Sequence, residues 1–372
     1  MKITIERAAF LKSLNHVQSV VERRNTIPIL SNVLLEAKDD QLSLTATDLD
    51  IEIVETIGSS ISQPGTITAP AHTLYDIVRK LPDGSQVELL FDEEEGRLSV
   101  KAGRSRFALA CLPKEDFPAM SAGDLPNRFS VSAEDLARLI DKTRFAISTE
   151  ETRYYLNGIY LHAAETNDIA MLRAVATDGH RLARVEFPLP EGAAGMPGVI
   201  VPRKAVAEIR KLIEDVEGVV EVALSDTKIR FQTGGIVLTS KLIDGTFPDY
   251  ERVIPEGNDK VLSIAAKDFA EAVDRVSTIS TEKSRAVKLN LGTEQLTLSV
   301  INPDSGTATE ELVVDYNDEP MEIGFNARYL LDVTTQLDSG AAQFILADPG
   351  SPTLVRDSDD PSALYVLMPM RV

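Results

Sequence analysis

Asp178, His180 and Arg181 fall in one run, Ala176-Thr177-Asp178-Gly179-His180-Arg181-Leu182, which sets a carboxylate, an imidazole and a guanidinium side by side. Such a trio could move a proton or hold a metal. Neither chemistry finds its other parts. Acyl transfer needs a nucleophile with an oriented base, and no Gly-x-Ser-x-Gly occurs; His16, His72, His162 and His180 are scattered rather than clustered as metal ligands would be. There is no Gly-x-x-x-x-Gly-Lys-Ser/Thr loop to cradle a nucleotide phosphate. Cys111 is the single cysteine, which leaves no disulfide framework and suits a reducing cytosol. The expectation is a protein without catalytic residues, metal or cofactor.

The same run also marks repetition. Near the N-terminus, Leu42-Ser43-Leu44-Thr45-Ala46-Thr47-Asp48-Leu49-Asp50-Ile51 again carries an alternating strand into Ala-Thr-Asp and out into another strand. Stepping outward, alternation over 1–5 predicts a strand, and Phe10, Leu11, Leu14, Val17 and Val21 at helical spacing predict a helix over 6–24. Strands are expected at 33–37, 41–47, 51–57 and 66–69, a second helix over 72–80, and strands at 87–91, 97–102 and 105–112 before Phe117-Pro118. The order restarts at Phe129-Ser130-Val131, with Ser132 as a helix cap, and at Leu262-Ser263-Ile264. Phe117-Pro118 recurs as Phe247-Pro248 after 130 positions, and Met368-Pro369 follows after 121 more. Persistent offsets of this size mean three copies of one domain of about 125 residues.

The fold class is therefore α+β: three repeated domains, 1–125, 126–258 and 259–372, each two helices packed on antiparallel sheet. Polar connectors near 122–127 and 255–260 join them. A row of sheets leaves a bare strand edge at each end, and head-to-tail pairing of two chains would cover both and close a ring. The expected edges are 104–109 in the first repeat and 287–291 in the third.

The net charge of −20 argues against nucleic-acid binding over the whole surface. The charge is uneven. The segments 6–24, 72–80, 132–144, 202–215, 266–275 and 325–338 together carry +2, leaving −22 on the rest. Twelve helices about 8–10 Å apart make a circle some 35 Å across at their axes and leave roughly 25 Å clear, room for a duplex to slide. No stretch of about 18 apolar residues occurs, so no membrane association and a soluble, cytoplasmic protein are expected.

The chain resembles the bacterial DNA polymerase III beta subunit family, the sliding clamps. The resemblance rests on Arg24-x-Thr26-x-Pro28-Ile29-Leu30, Ser105-Arg106-Phe107, Arg153-Tyr154-Tyr155-Leu156-Asn157-Gly158, Ala176 to Leu182, Val201-Pro202-Arg203-Lys204, Phe247-Pro248-Asp249-Tyr250, Gly324-Phe325-Asn326 and Tyr365-Val366-Leu367-Met368-Pro369-Met370-Arg371. It implies DNA-clamp domains closing as a head-to-tail homodimer with helices lining the hole. Such a ring is loaded by an ATP-driven clamp loader and tethers the replicative polymerase and other clamp-binding-motif proteins to duplex DNA.

By position, the resemblance implies sequence-independent DNA contacts at Arg24, Tyr154, Tyr155, Arg203 and Lys204, with Arg7 a weaker candidate. It implies a partner-peptide cleft of Leu156, Thr177, Gly179, His180, Arg181, Leu182, Pro248, Arg252, Val253, Asn326, Tyr329, Val366, Met368, Pro369, Met370 and Arg371. Met side chains adapt to several ligands, and Arg252 would hold a peptide carboxylate. At the dimer contact stand Arg104, Arg106, Phe107, Leu109, Thr278 and Ile279, where small, polar Thr278 and Ser284 suggest a looser joint. His72, and Glu150-Glu151 beside the tyrosines, suggest weak bare DNA affinity. The rival reading is a peptide-binding scaffold on the same repeats that never encircles DNA.

Overall fold

Alternating apolar residues in Gln41–Thr47 and Ile51–Gly58 send Leu42, Leu44, Ala46, Ile51 and Ile53 into the core, which two strands with an apolar face dictate. In the computed structural model, which describes residues 1–24, 26–121, 123–280, 285–338 and 340–372, all pairing of named strands is antiparallel. Six helices lie among the described residues: α1 (Arg7–Gln18), α2 (Ala71–Lys80), α3 (Ala133–Asp141), α4 (Arg203–Leu212), α5 (Ala266–Ser277) and α6 (Ala327–Thr334). Two fall in each repeat.

The Glu6 carboxylate starts α1 by accepting from Ala9 N at 2.8 Å, and Phe10, Leu14 and Val17 form its buried stripe. The helix stops at Gln18, well short of the expected residue 24. Ser19 Oγ donates to His16 O at 2.6 Å, a side-chain bond to the last turn, and Val20 and Val21 then bury themselves outside the helical register. The strand Ser60–Gln63 has too little apolar alternation to be foreseen.

The three repeats pack as two compact units. One is Met1–Ala137 with Pro190–Pro197 and Lys204–Leu242; the other is Arg138–Leu189, Gly198–Arg203 and Ile243–Val372. Strand pairing is the cause. In the first unit, Ile236–Lys241 of the middle repeat pairs with Ile51–Gly58 of the first, fusing their strands into one eight-stranded sheet. In the second unit, Ala363–Leu367 of the third repeat pairs with Arg181–Pro188 of the middle one, giving another eight-stranded sheet. The middle repeat thus divides between the two. Each unit also holds a smaller sheet: five strands ending at Ser105–Ala110, and four strands ending at Gly306–Val313.

These ends correct one expectation. Ser105–Ala110 is an edge as foreseen, but Ala286–Gly292, containing 287–291, is interior, paired to Gln295–Asn302 on one side and Met321–Asn326 on the other. Its buried Val287, Leu289 and Leu291 line the covered face of the sheet, as they would in an interior or an edge strand alike. The open edge of the third repeat is Gly306–Val313, whose Val313 is 91% exposed. No described helix is long and apolar enough to cross a membrane.

Candidate functional site

The run around Asp178 is a side-chain-locked turn. Thr177 Oγ1 donates to Arg181 O at 2.7 Å and accepts from Gly179 N at 3.1 Å, while Asp178 Oδ1 accepts from His180 N and Arg181 N at 2.9 and 3.0 Å. Asp178 Oδ2 takes Arg181 Nε at 3.1 Å. Both carboxylate oxygens are therefore engaged in holding the turn. The first repeat reproduces the turn: Thr47 Oγ1 bonds Ile51 O (2.8 Å) and Leu49 N (3.0 Å), and Asp48 Oδ1 bonds Asp50 N (2.9 Å) and Ile51 N (2.8 Å).

In the second unit this turn walls an apolar cavity of about 190 Å³. Leu156, Thr177, Gly179, Arg181, Leu182, Pro248, Val253, Val366 and Met368 line it, all nine anticipated from sequence. Asp249 and Tyr250 line it too and were not. Leu156, Leu182, Tyr250 and Val366 belong to the core behind it, so the cavity opens directly onto packed side chains. A site of this kind takes apolar side chains and fixes them with a few polar groups at the rim.

The other anticipated cleft residues stand around this cavity or away from it. His180 stacks with Tyr329 at 6.4 Å between ring centroids, and the Arg181 guanidinium lies 4.4 Å from the centre of the same Tyr329 ring. Arg181 is buried and saturated by Asp178, Asp332 and Phe145 O, so it shapes the wall instead of offering a free charge. Asn326 caps α6, accepting from Arg328 N at 2.9 Å. Arg252 is exposed but already paired with Asp249 at 2.6 Å, so a peptide carboxylate would have to displace that partner.

Met368 N bonds His180 O at 2.9 Å, and Met370 N bonds Gly324 O at 2.8 Å, which carries Pro369 along the wall. A Cβ on Gly324 would sit 2.7 Å from Met370 O and 2.3 Å from Val372 Cγ1, so glycine is what admits this terminal segment. Arg371 leaves the cleft. It lines a separate hollow of about 400 Å³ with Lys288, Ile301 and Val372. The larger hollow of about 410 Å³ in the first unit, lined by Gln63, Glu93, Lys114 and Glu115 among others, lacks a comparable apolar floor.

Of the anticipated DNA contacts, Arg24 and Lys204 belong to the first unit and Tyr154, Tyr155 and Arg203 to the second. Arg24, Tyr154 and Arg203 are exposed. Lys204 is already paired: its ammonium bonds Glu22 at 2.9 Å and also Asp48. Burial alone would pull its pKa down, but those carboxylates outweigh it and hold the pKa above the ordinary lysine value. Arg7 is likewise committed, to Asp83, Arg79 O and Val78 O. Glu150, expected to crowd the tyrosines with charge, is paired with Arg153 at 2.7 and 2.8 Å, and that bond holds its pKa below the usual carboxylate range.

Phe107 is 38% exposed on the Ser105–Ala110 edge, so it is not a core residue of its own sheet. Thr278 closes α5 and Ile279 follows half-buried, its carbonyl held by Asn302 Nδ2 at 2.6 Å. Ser284 lies outside the described residues. No group of His, Cys, Asp or Glu able to hold a metal occurs among the described residues.

The three domain descriptions of the DNA polymerase III beta subunit, N-terminal, central and C-terminal, match residues 1–121, 130–249 and 251–371. The beta sliding clamp of Caulobacter vibrioides is 61% identical over 372 residues, covering 100% of both chains. The crystal structure of the C. crescentus clamp with PEG bound superposes at a TM-score of 0.98 with 61% identity, covering 100% of this chain and 99% of that one. That of the Bartonella birtlesii clamp bound to griselimycin gives 0.97 at 56% identity, covering 100% of each.

Proposed function

The chain belongs to the DNA polymerase III beta subunit family, the non-catalytic sliding clamps, and on that premise we propose that two copies close head to tail around duplex DNA. One observation carries the reading. The second strand of a repeat's central hairpin pairs with the last strand of the following repeat: Ile51–Gly58 with Ile236–Lys241, and Arg181–Pro188 with Ala363–Leu367. The third hairpin strand, Gly306–Val313, and the first repeat's last strand, Ser105–Ala110, pair with no such partner among the described residues. A second chain supplies both partners.

The register supports this closure. Ala46 pairs with Ile53 across the first hairpin and Val300 with Ala308 across the third, while Phe231 pairs with Leu238 as Val100 does with Phe107. Carried over, the Leu238–Ile53 pairing sets Phe107 opposite Ala308 of a second copy and Arg104 opposite Glu311. Arg104 and Arg106 thus meet an edge bearing Glu310 and Glu311, and opposite charges directly across strands are favourable.

In this reading the repeats 1–125, 126–258 and 259–372 are the segments of the ring, and their helices face the DNA. Arg24, Tyr154, Tyr155 and Arg203 touch its backbone without reading bases, and Lys204 joins only by giving up Asp48. The clamp works in the cytoplasm, opened by a clamp loader. The cavity beside Gly179 receives apolar residues of polymerase and other partner peptides, and it is also where this chain would take griselimycin.

The test is topological. Loaded on a nicked circular duplex, the protein remains bound and leaves once the circle is cut; retention on linear DNA with free ends overturns the reading. The charge of −20 favours the scaffold instead, and that alternative requires a monomer or open arc in solution. In the cleft, truncating Met370 or His180 to Ala is expected to weaken partner peptides by about 1–3 kcal/mol with the dimer intact.

A further inference from the structure

Beneath the cavity floor lies a buried polar cluster with no place in the cleft as described so far. Arg173 is 3% exposed, yet its guanidinium has partners on every side: Nε on Glu186 Oε2 at 2.7 Å, Nη2 on Thr166 Oγ1 at 2.8 Å, and Nη1 on both the Tyr250 hydroxyl and Glu251 Oε1 at 2.7 Å. The Tyr250 hydroxyl meets His162 Nε2 at 3.0 Å, while His162 Nδ1 donates to Ala163 O at 2.9 Å. The hydroxyl therefore accepts from Arg173 and donates to the unprotonated imidazole nitrogen. Phe247, stacked on Tyr160 at 4.8 Å, abuts the Tyr250 ring edge-on at 6.4 Å. Tyr250 has one end wired into this cluster and its ring in the cavity wall.

We propose that Arg173 and His162 are positioning residues for partner binding, acting through Tyr250, whose ring they fix as the surface a partner's apolar side chain packs against. This rests on the cleft reading above. A ring held only by apolar neighbours could tilt, and a pocket this small loses its shape when one wall moves. The hydroxyl accepts from Arg173 and donates to His162, which face each other on two paired strands, and these two bonds set that tilt; Arg173 is itself locked by Glu186 and Thr166. Burying a guanidinium is costly unless all its donors are satisfied, so the cluster is an expensive device with one visible output at the cavity.

Proton state gives the device a signature. Burial, with Arg173 nearby, keeps the His162 pKa below the ordinary imidazole value. The charged groups facing the ring are Arg173 from one neighbouring strand, Glu186 from the next and Glu251 from the Tyr250–Val253 turn. Protonated His162 would turn Nε2 into a donor, so the Tyr250 hydroxyl would face two donors and swing its own hydrogen to Glu251 Oε1, 3.5 Å away. The wall would loosen in acid.

Griselimycin binding, followed by calorimetry beside thermal melting, tests this. Tyr250→Phe keeps the ring and loses the anchor: about a three- to tenfold weaker Kd is expected in a folded protein, and Arg173→Met is expected to match it. His162→Phe should abolish the extra loss of affinity that the wild type shows between pH 7.5 and pH 5. Lower melting temperatures with an unchanged Kd in Tyr250→Phe would make the cluster purely structural and overturn the proposal, whether or not Arg173→Met folds. Val253→Asp, at an exposed cavity residue, separates the two readings: if the wild type binds and Val253→Asp does not, the cleft stands regardless of Tyr250; if Val253→Asp binds normally, the cleft reading falls.

Discussion

Leu49 and Gly179 occupy the same place in two copies of one turn and share a left-handed backbone, with φ of 81° and 88°. Glycine adopts that conformation freely; leucine pays about 1–2 kcal/mol for it. Leu49 is 40% exposed, so it recovers little by burial. Leu49→Gly is therefore expected to raise stability by about 0.5–1 kcal/mol, read as a higher urea midpoint. Gly179→Ala should do the reverse, losing about 1–2 kcal/mol, because the new Cβ would also fall 2.6 Å from Arg153 Nη1. Equal midpoints for both variants and the wild type would mean that the turn relaxes without strain.

Lys204 is a structural cation. It joins α4 to Glu22 and to Asp48 of the first-repeat turn, all within one compact unit. Lys204→Met strands two carboxylates, and since the ammonium remains about a third exposed, a loss of about 1–2 kcal/mol is expected at pH 7. The folded-state pKa is raised, so this stability is fully present below the unfolded lysine value near 10.4 and is lost as pH rises through the folded one. The gap between mutant and wild-type urea midpoints should hold from pH 7 to 9 and narrow above about pH 10.5. A gap that widens with pH would contradict the assignment.

The turn and the repeats were legible because Thr177 and Asp178 satisfy specific backbone groups, which forces their types and spacing to recur at Thr47 and Asp48. The apolar wall was anticipated only through the family resemblance, which that run and Phe247-Pro248 help to carry. Pairing across repeats was not legible. Ala286–Gly292 reads as alternating sheet whether it lies inside or at an edge, and only the partner strands decide. Tyr250 was visible as the aromatic of Phe247-Pro248-Asp249-Tyr250, but its anchors, Arg173 and His162, lie 77 and 88 positions away and join it only through the fold. Charge was the least legible property: Arg7, Lys204 and Arg252 look like free cations in sequence and are paired in space.

The proposed ring closure is open to a register test. In the first unit, Thr56 N bonds Gly235 O and Lys241 N bonds Asp50 O, so by alternation Leu238 and Ile53 form a non-hydrogen-bonded pair, where facing Cα atoms come within about 4.5 Å. Phe107 and Ala308 hold the equivalent places on the two open edges. With Cys111 replaced by Ser to remove the native thiol, Phe107→Cys with Ala308→Cys should oxidise to a covalent dimer cross-linked at both seams, seen on a denaturing gel. Phe107→Cys with Val313→Cys should stay uncross-linked, because five residues of extended strand displace the partner by roughly 17 Å. Efficient cross-linking of the second pair, or of neither pair in a protein that is still dimeric, would show that the edge strands meet in another register or not at all.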